Sequence, residues 1–532
     1  GAQLLDLTIS CTGLADISVN NPGTSGVNGR MAVKNVAPNV LIKGCNIQGA
    51  RGQGYNRTDA LNITFNQSLG SGGGGIENAG SSLQVEDSTV IGGAGGAINV
   101  ISSSGQSRVG FAGTATAGTG GVGIANSGIN MQVINSTVAG GIGGTITSIA
   151  YSYSYAGYSS GGTARTGAGG AGITNSGINM QVSNSIVTGG VAGAIIASTS
   201  TATGALIGYS IGTSSCTATA YAGGAGIDNA GVDMQIAYST VTGGSGGAII
   251  SFSYSVSVGY SEGTGSGTAT AGAGGAGINN NNSGISMQIR DSVVTGGVGG
   301  AITVSSSPSV VRVGYSFSVG SGTATAGAGG AGITNAGINM QVKACRVYAA
   351  MGGALNVTST SNAFVGRSNN GTARAGAGGV GIENSGLNSF FSGNVISAAT
   401  AGTLAVIAQS ARVGSANGAF GGHAIACTSA CSNVFITNCL IMESGQGGNG
   451  YRGTENWNLT YPGNGGNGGN GIQIAAGCQN IQIKECRVQV LGAGGAAASE
   501  QIAGFVGKLV ADGQTCPTSV RSLVFSCADT AV

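Results

Sequence analysis

The stretch AGITNSGINMQVSNSIVTGG, residues 171–190, recurs along the chain, and its reading decides the fold. Lightly edited copies begin at Ile76, Ile124, Ile173, Ile227, Ile278, Ile333 and Ile382, at steps of 48, 49, 54, 51, 55 and 49 residues. A fixed unit near fifty residues with unequal steps is a repeat that carries variable insertions. Such periods mark stacked architectures in which each unit buries a face against the next. Within the unit Ile178, Met180 and Val182 alternate with Asn179, Gln181 and Ser183. This is the two-residue period of a half-buried strand. Gly and Asn-Ser pairs punctuate it, so the strands are short and the corners tight. Glycine, 107 of 532 residues, opposes a helix at about 1 kcal/mol each.

Aligned copies form columns. One is asparagine: Asn78, Asn126, Asn175, Asn229, Asn335 and Asn384. A second is small and polar: Ser88, Ser136, Ser185, Ser239 and Ser292, continued by Cys345, Asn394, Cys439 and Cys486. A parallel coil stacks identical side chains about 4.8 Å apart. A corner asparagine can donate to one neighbouring rung and accept from the other. The asparagines therefore read as a structural ladder rather than as catalytic groups.

The strings NVLIKGCNIQG (39–49), NVFITNCLI (433–441) and NIQIKECRV (480–488) resemble rungs of right-handed parallel β-helix proteins of the pectate-lyase-like group. GGAI at 95–98, 246–249 and 299–302, GGAL at 352–355, and the FxxN strings Phe391–Asn394 and Phe435–Asn438 also resemble chlamydial polymorphic membrane protein passengers. The resemblance implies an all-β right-handed parallel β-helix, a solenoid closed by an N-terminal strand cap and a C-terminal capping segment. Enzymes of that fold cleave polysaccharides with clustered carboxylates, a basic residue or bound calcium.

The expected organisation is one elongated body. Residues 1–35 form the N-terminal cap, 36–490 the β-helix with its regular array at 76–425, and 491–532 a C-terminal cap. Ile502, Phe505, Val506 and Leu509 lie at helical spacing after a candidate N-cap at Ser499. Residues 50–75 read as a polar loop, and so does the Gly/Asn-rich separator 443–471 with Trp457. Each unit continues into a variable block that alternates serine with Ile149, Tyr151, Tyr153 and Tyr155, or with Phe252 and Tyr254, or with Tyr315 and Phe317. The block closes on Thr-Ala-Thr strings such as Thr268–Thr270. It is either a second rung or an excursion. The closing string favours two rungs per unit, roughly twenty rungs and a rod about 100 Å long.

Charged residues are 7% and the net charge is +2, without the basic clusters of a nucleic-acid binder. No apolar run of transmembrane length occurs. Cys516 and Cys527, eleven residues apart, suit a loop-closing disulfide, and Cys431 is expected to stack under Cys478 within bonding range. Disulfides with a low-charge exterior favour a secreted protein in an extracellular, cell-surface or virion-surface setting.

No catalytic, metal or cofactor set stands out, so neither an enzyme nor a cofactor is expected. Asp228 and Asp233 share one unit, but their counterparts Thr174 and Asn179 are neutral. His423, the one histidine, reads as a corner residue in a Gly-rich turn. The aromatic columns either line the core or form an exposed stripe suited to subunit association or sugar stacking. Threonine columns admit an ice-binding reading, which Arg165 and Arg374 interrupt. The function these features favour is a self-associating fibre, filament or adhesin subunit, with glycans or a host surface as further partners. The alternative is a polysaccharide lyase or hydrolase.

Overall fold

The computed structural model describes residues 2–494, apart from 12–25, 59–66, 450–464 and stretches of one to five residues between strands; beyond 494 it describes Val510–Asp512 and Leu523–Phe525. All pairing among the described strands is parallel, and it is in register from one unit to the next except for shifts at Ile396/Ser397 and Ile483/Cys486. Ile76 pairs Ile124, which pairs Ile173, which pairs Ile227. One unit is therefore one full turn, not two rungs. Eleven stacked strands, from Val33–Asn35 to Val510–Asp512, line one side, and their ten steps make a body about 50 Å long rather than 100 Å.

The turn starting at Ile76 shows the plan. Its strands are a (Ile76–Asn78), b (Gln84–Glu86), c (Thr89–Ile91), d (Ile98–Ser102), e (Ser107–Val109) and f (Thr114–Thr116). The same letters serve for their counterparts in other turns. Strands a, b and c enclose one apolar core, with Ile76, Val85, Val90 and Met131 among its members. Strands d, e and f enclose a second, with Ile98, Ala115 and Ile146. The glycine runs join the two lobes: residues 92–97 lead out from c to d, and 117–123 return from f to a. The cross-section is a flattened loop. On one side lie c, the outward crossing and d, on the other f, the return crossing and a, with b and e closing the ends.

The crossings explain the glycine content. Gly93 donates its N–H to Gly73 O at 2.7 Å and Gly121 donates to Gly93 O at 2.7 Å; Gly141 donates to Gly121 O and Gly170 to Gly141 O. Outward and return segments thus interleave along the whole body. Gly92 and Gly95 donate instead to the next turn, to Ala139 O at the end of its strand c and to Ile142 O in its outward crossing. The pattern repeats every three residues, and only each third residue (Ala94, Ala97) leaves the buried layer. Three residues per turn without internal hydrogen bonds is the polyproline II helix, whose close packing tolerates only glycine at contact positions. A Cβ on Gly93 would fall on Ala50 O, and one on Gly121 on Gly73 O.

The asparagine ladder is present. Nδ2 of Asn78 donates to Oδ1 of Asn126 at 2.7 Å, Asn126 to Asn175 at 2.8 Å and Asn175 to Asn229 at 2.8 Å. The run continues through Asn280 and Asn335 to Asn384 and begins at Asn35. Asn35 and Asn280 extend the expected column; both sit two residues after the first residue of strand a. The serine column forms a second ladder, in which each backbone N–H donates to the hydroxyl on the next turn, as from Ser88 to Ser136 and Ser136 to Ser185.

Two left-handed corners flank strand b in most turns, as at Asn179 (φ 58°) and Asn184 (φ 50°). Asparagine tolerates this region. The first corner breaks the alternation, so Met180 and Val182 are buried while Ile178, expected on their face, is 46% exposed.

Several expectations change. Residues 3–5 and 8–10 pair in register with 41–43 and 46–48, as a first turn of b and c. Of the segment 50–75, read as a loop, the described residues contribute crossings and the strands Tyr55–Thr58 and Gln67–Ser68. The separator 443–471 also supplies two crossings, seen in Gly448 donating to Ala419 O and Gly469 to Gly445 O, while Trp457 lies outside the described residues. So do most of the C-terminal helix expected over 499–511, of which Val510 and Ala511 begin the strand Val510–Asp512, and both Cys516 and Cys527. Cys431 and Cys478 do occupy adjacent turns, yet they are free thiols. In-register parallel strands hold Cβ atoms side by side at about the 4.8 Å rung spacing, beyond the roughly 3.8 Å mean of a disulfide.

Replacing Gly121 by Ala is expected to destabilise by about 3 kcal/mol or more, because backbone must move. Ala94→Ser, at an outward position of a crossing, should change stability by less than about 0.5 kcal/mol. Thermal unfolding followed by circular dichroism measures both. Asn229→Ala leaves the Asn175 amide without its acceptor and the Asn280 oxygen without its donor, and should cost roughly 3 kcal/mol in the same assay.

Candidate functional site

Carboxylates lie on the side formed by f, the return crossing and a. Glu77, Ala125, Thr174 and Asp228 succeed one another in the outward column of strand a. Glu77 and Asp228 border a shallow polar hollow of ≈ 310 Å³ with Thr174 and Ser176 between them. Three turns separate the two acids, about 14 Å at the rung spacing. Glycosidase pairs stand about 5–10 Å apart. Lys34 holds Glu77 in an ion pair at 3.6 Å, and Asp228 accepts from the Asn279 amide at 2.9 Å. Asp233 sits past the corner at a left-handed position, φ 56°. Glu383 is three turns beyond Asp228 in the same column.

A larger groove of ≈ 750 Å³ runs along the body where sheet f meets the return crossings. Its floor is the crossing backbone at Gly272, Gly327 and Gly376. Thr270, Thr325 and Arg374 line one flank, Tyr221 lies at one end and Phe420 one turn short of the other. Tyr221 occupies a crossing position that is glycine in neighbouring turns, and its N–H donates to Thr166 Oγ1 at 2.9 Å rather than to a crossing carbonyl. No carboxylate lines this groove. Its hydroxyls, aromatic rings and small apolar floor can bind an extended chain but offer no acid-base pair to cleave it.

The aromatic candidates separate. Phe252 is 45% exposed while its neighbour Ser251 is buried, so strand d turns serine inward there. In strand e the parity reverses, and Val256 and Val258 are buried. Tyr315 is half-buried and stacks on Tyr260, with ring centroids 5.4 Å apart and planes within 2°; Phe364 packs tilted on Tyr315 and Arg312 lies over the Tyr260 ring. Burial pushes the Tyr260 phenol up to about 12. The backbone of Tyr153 and Tyr155 lies in a strand-e segment, Tyr153–Tyr158; their side chains, with all of Tyr151, Tyr254 and Phe317, lie outside the described residues.

The described thiols differ in environment, and the hydrogen bond with Cys439 lowers the pKa of Cys486. Burial pushes Cys345 up to about 11 and Cys478 up to about 12, so both remain protonated. The hydrogen bond with Cys427 raises Cys431 as well. Among the described residues no group of His, Cys, Asp and Glu could hold a metal ion. None of their helices is long and apolar enough to cross a membrane. His423 is half-buried at the waist, where Nδ1 accepts the Asn470 N–H at 2.8 Å. Burial lowers its pKa from the usual 6.5. The neutral imidazole is therefore the form the fold prefers, and it contributes stability above the unfolded-state pKa that is lost as pH falls through the folded one. The thermal midpoint of the wild-type chain should fall between pH 7 and pH 5, and His423→Gln should flatten that dependence; midpoints recorded across the range check it.

No family model matches the chain, and no curated protein matches it. Among solved structures it is similar to a mutant tailspike of E. coli bacteriophage HK620 in complex with pentasaccharide, at 11% identity over 94% of this chain and 71% of that one, TM-score 0.19. It is also similar to PfbA, a surface adhesin of Streptococcus pneumoniae, at 10% identity over 85% and 84%, TM-score 0.15. A PL6 family alginate lyase follows at 8% identity over 99% and 100%, TM-score 0.11. By its own stacked parallel sheets, register and asparagine ladder, the chain is a right-handed parallel β-helix protein.

Proposed function

We propose that this protein is an extracellular, surface-exposed structural rod, a fibre or adhesin subunit without a catalytic site. The observation that carries the reading is the spacing of acids in the column of strand a. Glu77, Asp228 and Glu383 stand three turns apart, with neutral residues between them. The chain spends its residues instead on repeating backbone and amide ladders, which stiffen a body and present the same chemistry at every turn. The ≈ 750 Å³ groove supports an adhesive role, because its threonine flank and aromatic rings suit a hydroxyl-rich extended ligand such as a glycan.

Negative-stain imaging of the purified protein across a concentration series tests this. Ordered assemblies with a repeat near 50 Å are expected for a filament, and isolated rods that retain glycan binding for an adhesin. Incubation with neutral and acidic polysaccharides should yield neither new reducing ends nor unsaturated products. Cleavage that disappears in Asp228→Asn would reverse the reading in favour of a lyase or hydrolase.

A further inference from the structure

The two broad sides of the body differ in charge. On the side made of c, the outward crossing and d, the segments 89–102, 137–150, 186–199, 240–253 and 293–306 contain no Asp, Glu, Lys or Arg, and the next turn, 346–359, carries one charge, the exposed Arg346 in strand c. The opposite side carries Glu77, Asp228, Arg165 and Arg374 in its strands. The neutral side is also apolar. The three-residue period of the outward crossing brings one residue of each turn fully to the surface: Ile142 (57% exposed), Val191 (46%), Val298 (44%) and Met351 (56%), with Ser245 between. Three residues further on, the next surface column is small: Ala97, Thr145, Ala194, Ala248, Ala301 and Ala354. Large apolar side chains at four of the five turns from Ile142 to Met351 therefore stand beside a furrow of small residues.

We propose that this face pairs with the same face of a second copy of the chain, about a two-fold axis. A ridge beside a furrow is self-complementary: turned over, the Ile142–Met351 ridge of one copy lies in the alanine furrow of the other, as an isologous interface requires. The area suffices. A six-residue crossing at about 3.1 Å per residue, flanked by strands of three and five residues at about 3.3 Å, is about 45 Å wide. Over five steps of about 4.8 Å it covers on the order of 1,000 Å², against about 800 Å² per partner in a standard interface. The absence of charge from 89–102 to 293–306 matters equally, since pairing over those five turns buries no ion, and Arg346 lies at the end of the face. Exposed apolar patches beyond a few hundred Å² mark interaction sites. The surface residues lie on backbone held by the crossing bonds, so little order is lost on association.

This inference deepens the assembly reading by naming its lateral contact, and its test separates the two. Sedimentation velocity over a concentration series compares the wild-type chain with Val191→Lys/Val298→Lys and with Thr270→Lys on sheet f. The wild-type chain and Thr270→Lys should dimerise alike. The double variant should associate at least about a hundredfold more weakly, because pairing would bury two charges from each copy, with the thermal midpoint of the monomer unchanged. Should the double variant misfold, Ile142→Ser/Val298→Ser, which adds no charge, should weaken pairing in the same direction. A wild-type chain monomeric at every concentration, or Lys and Ser variants that pair like it, would overturn the proposal. Filaments built from end contacts alone would leave the rod reading intact and overturn this one. Paired rods that cleave polysaccharide would do the reverse.

Discussion

Each turn hangs on the hydrogen bonds between glycine crossings at the waist. Gly93 bonds back to Gly73 and receives Gly121, which receives Gly141. The bonds set the distance between the lobes and leave no room for a Cβ on the contact side. Because outward and return segments interleave, a change of length in either would shift every later turn. Insertions are therefore confined to the lobes, and the unequal spacing of the repeats follows. The 54-residue step from Ile173 to Ile227, for instance, accommodates the nine-residue strand Gly204–Gly212.

The lobes use two further means of holding register. In the first, the asparagine ladder bonds side chain to side chain, and the serine column bonds side chain to backbone. A one-turn slip would preserve many apolar contacts but would misplace the insertions and interrupt both ladders where they end, near Asn384 and Ser292. The core of the second lobe is filled by alanine, valine and isoleucine, and among its described residues Ser306 donates to Ser359 on the next turn. Its described strands end with Ser415–Asn417, while the first lobe continues to Leu523–Phe525.

Function on such a body is a matter of which column faces outward. Strand a displays a mixture of acids, threonine, alanine and asparagine, and nothing in its period brings two carboxylates onto adjacent turns. The waist gives one side a concave groove lined by Tyr221 and Phe420. The other side has an apolar ridge, because the third residue of each Gly-Gly-x triplet must point away from the layer. Both surfaces are consequences of a glycine layer two segments thick.

The strand period, the repeat, the asparagine column and the parallel coil were legible in the sequence, because each depends on side chains recurring at fixed offsets. Asn35 and Asn280 could have been found by the same offset from Val33 and Ile278. The number of turns per unit was not legible. Thr-Ala-Thr and the serine-rich blocks alternate like any strand, and alternation does not reveal which strand is the partner. The glycine runs were harder still: Gly-Gly-Ala-Gly-Gly reads as a loop until two lobes bring the crossings within hydrogen-bond distance, and only there does a missing Cβ become a requirement. Parity was decided in the same way. A left-handed corner at Asn179 turns Ile178 outward and Met180 inward, which alternation alone places together. Local pattern determined that this chain stacks; backbone contacts between residues tens of positions apart decided how wide each turn is and which columns meet solvent.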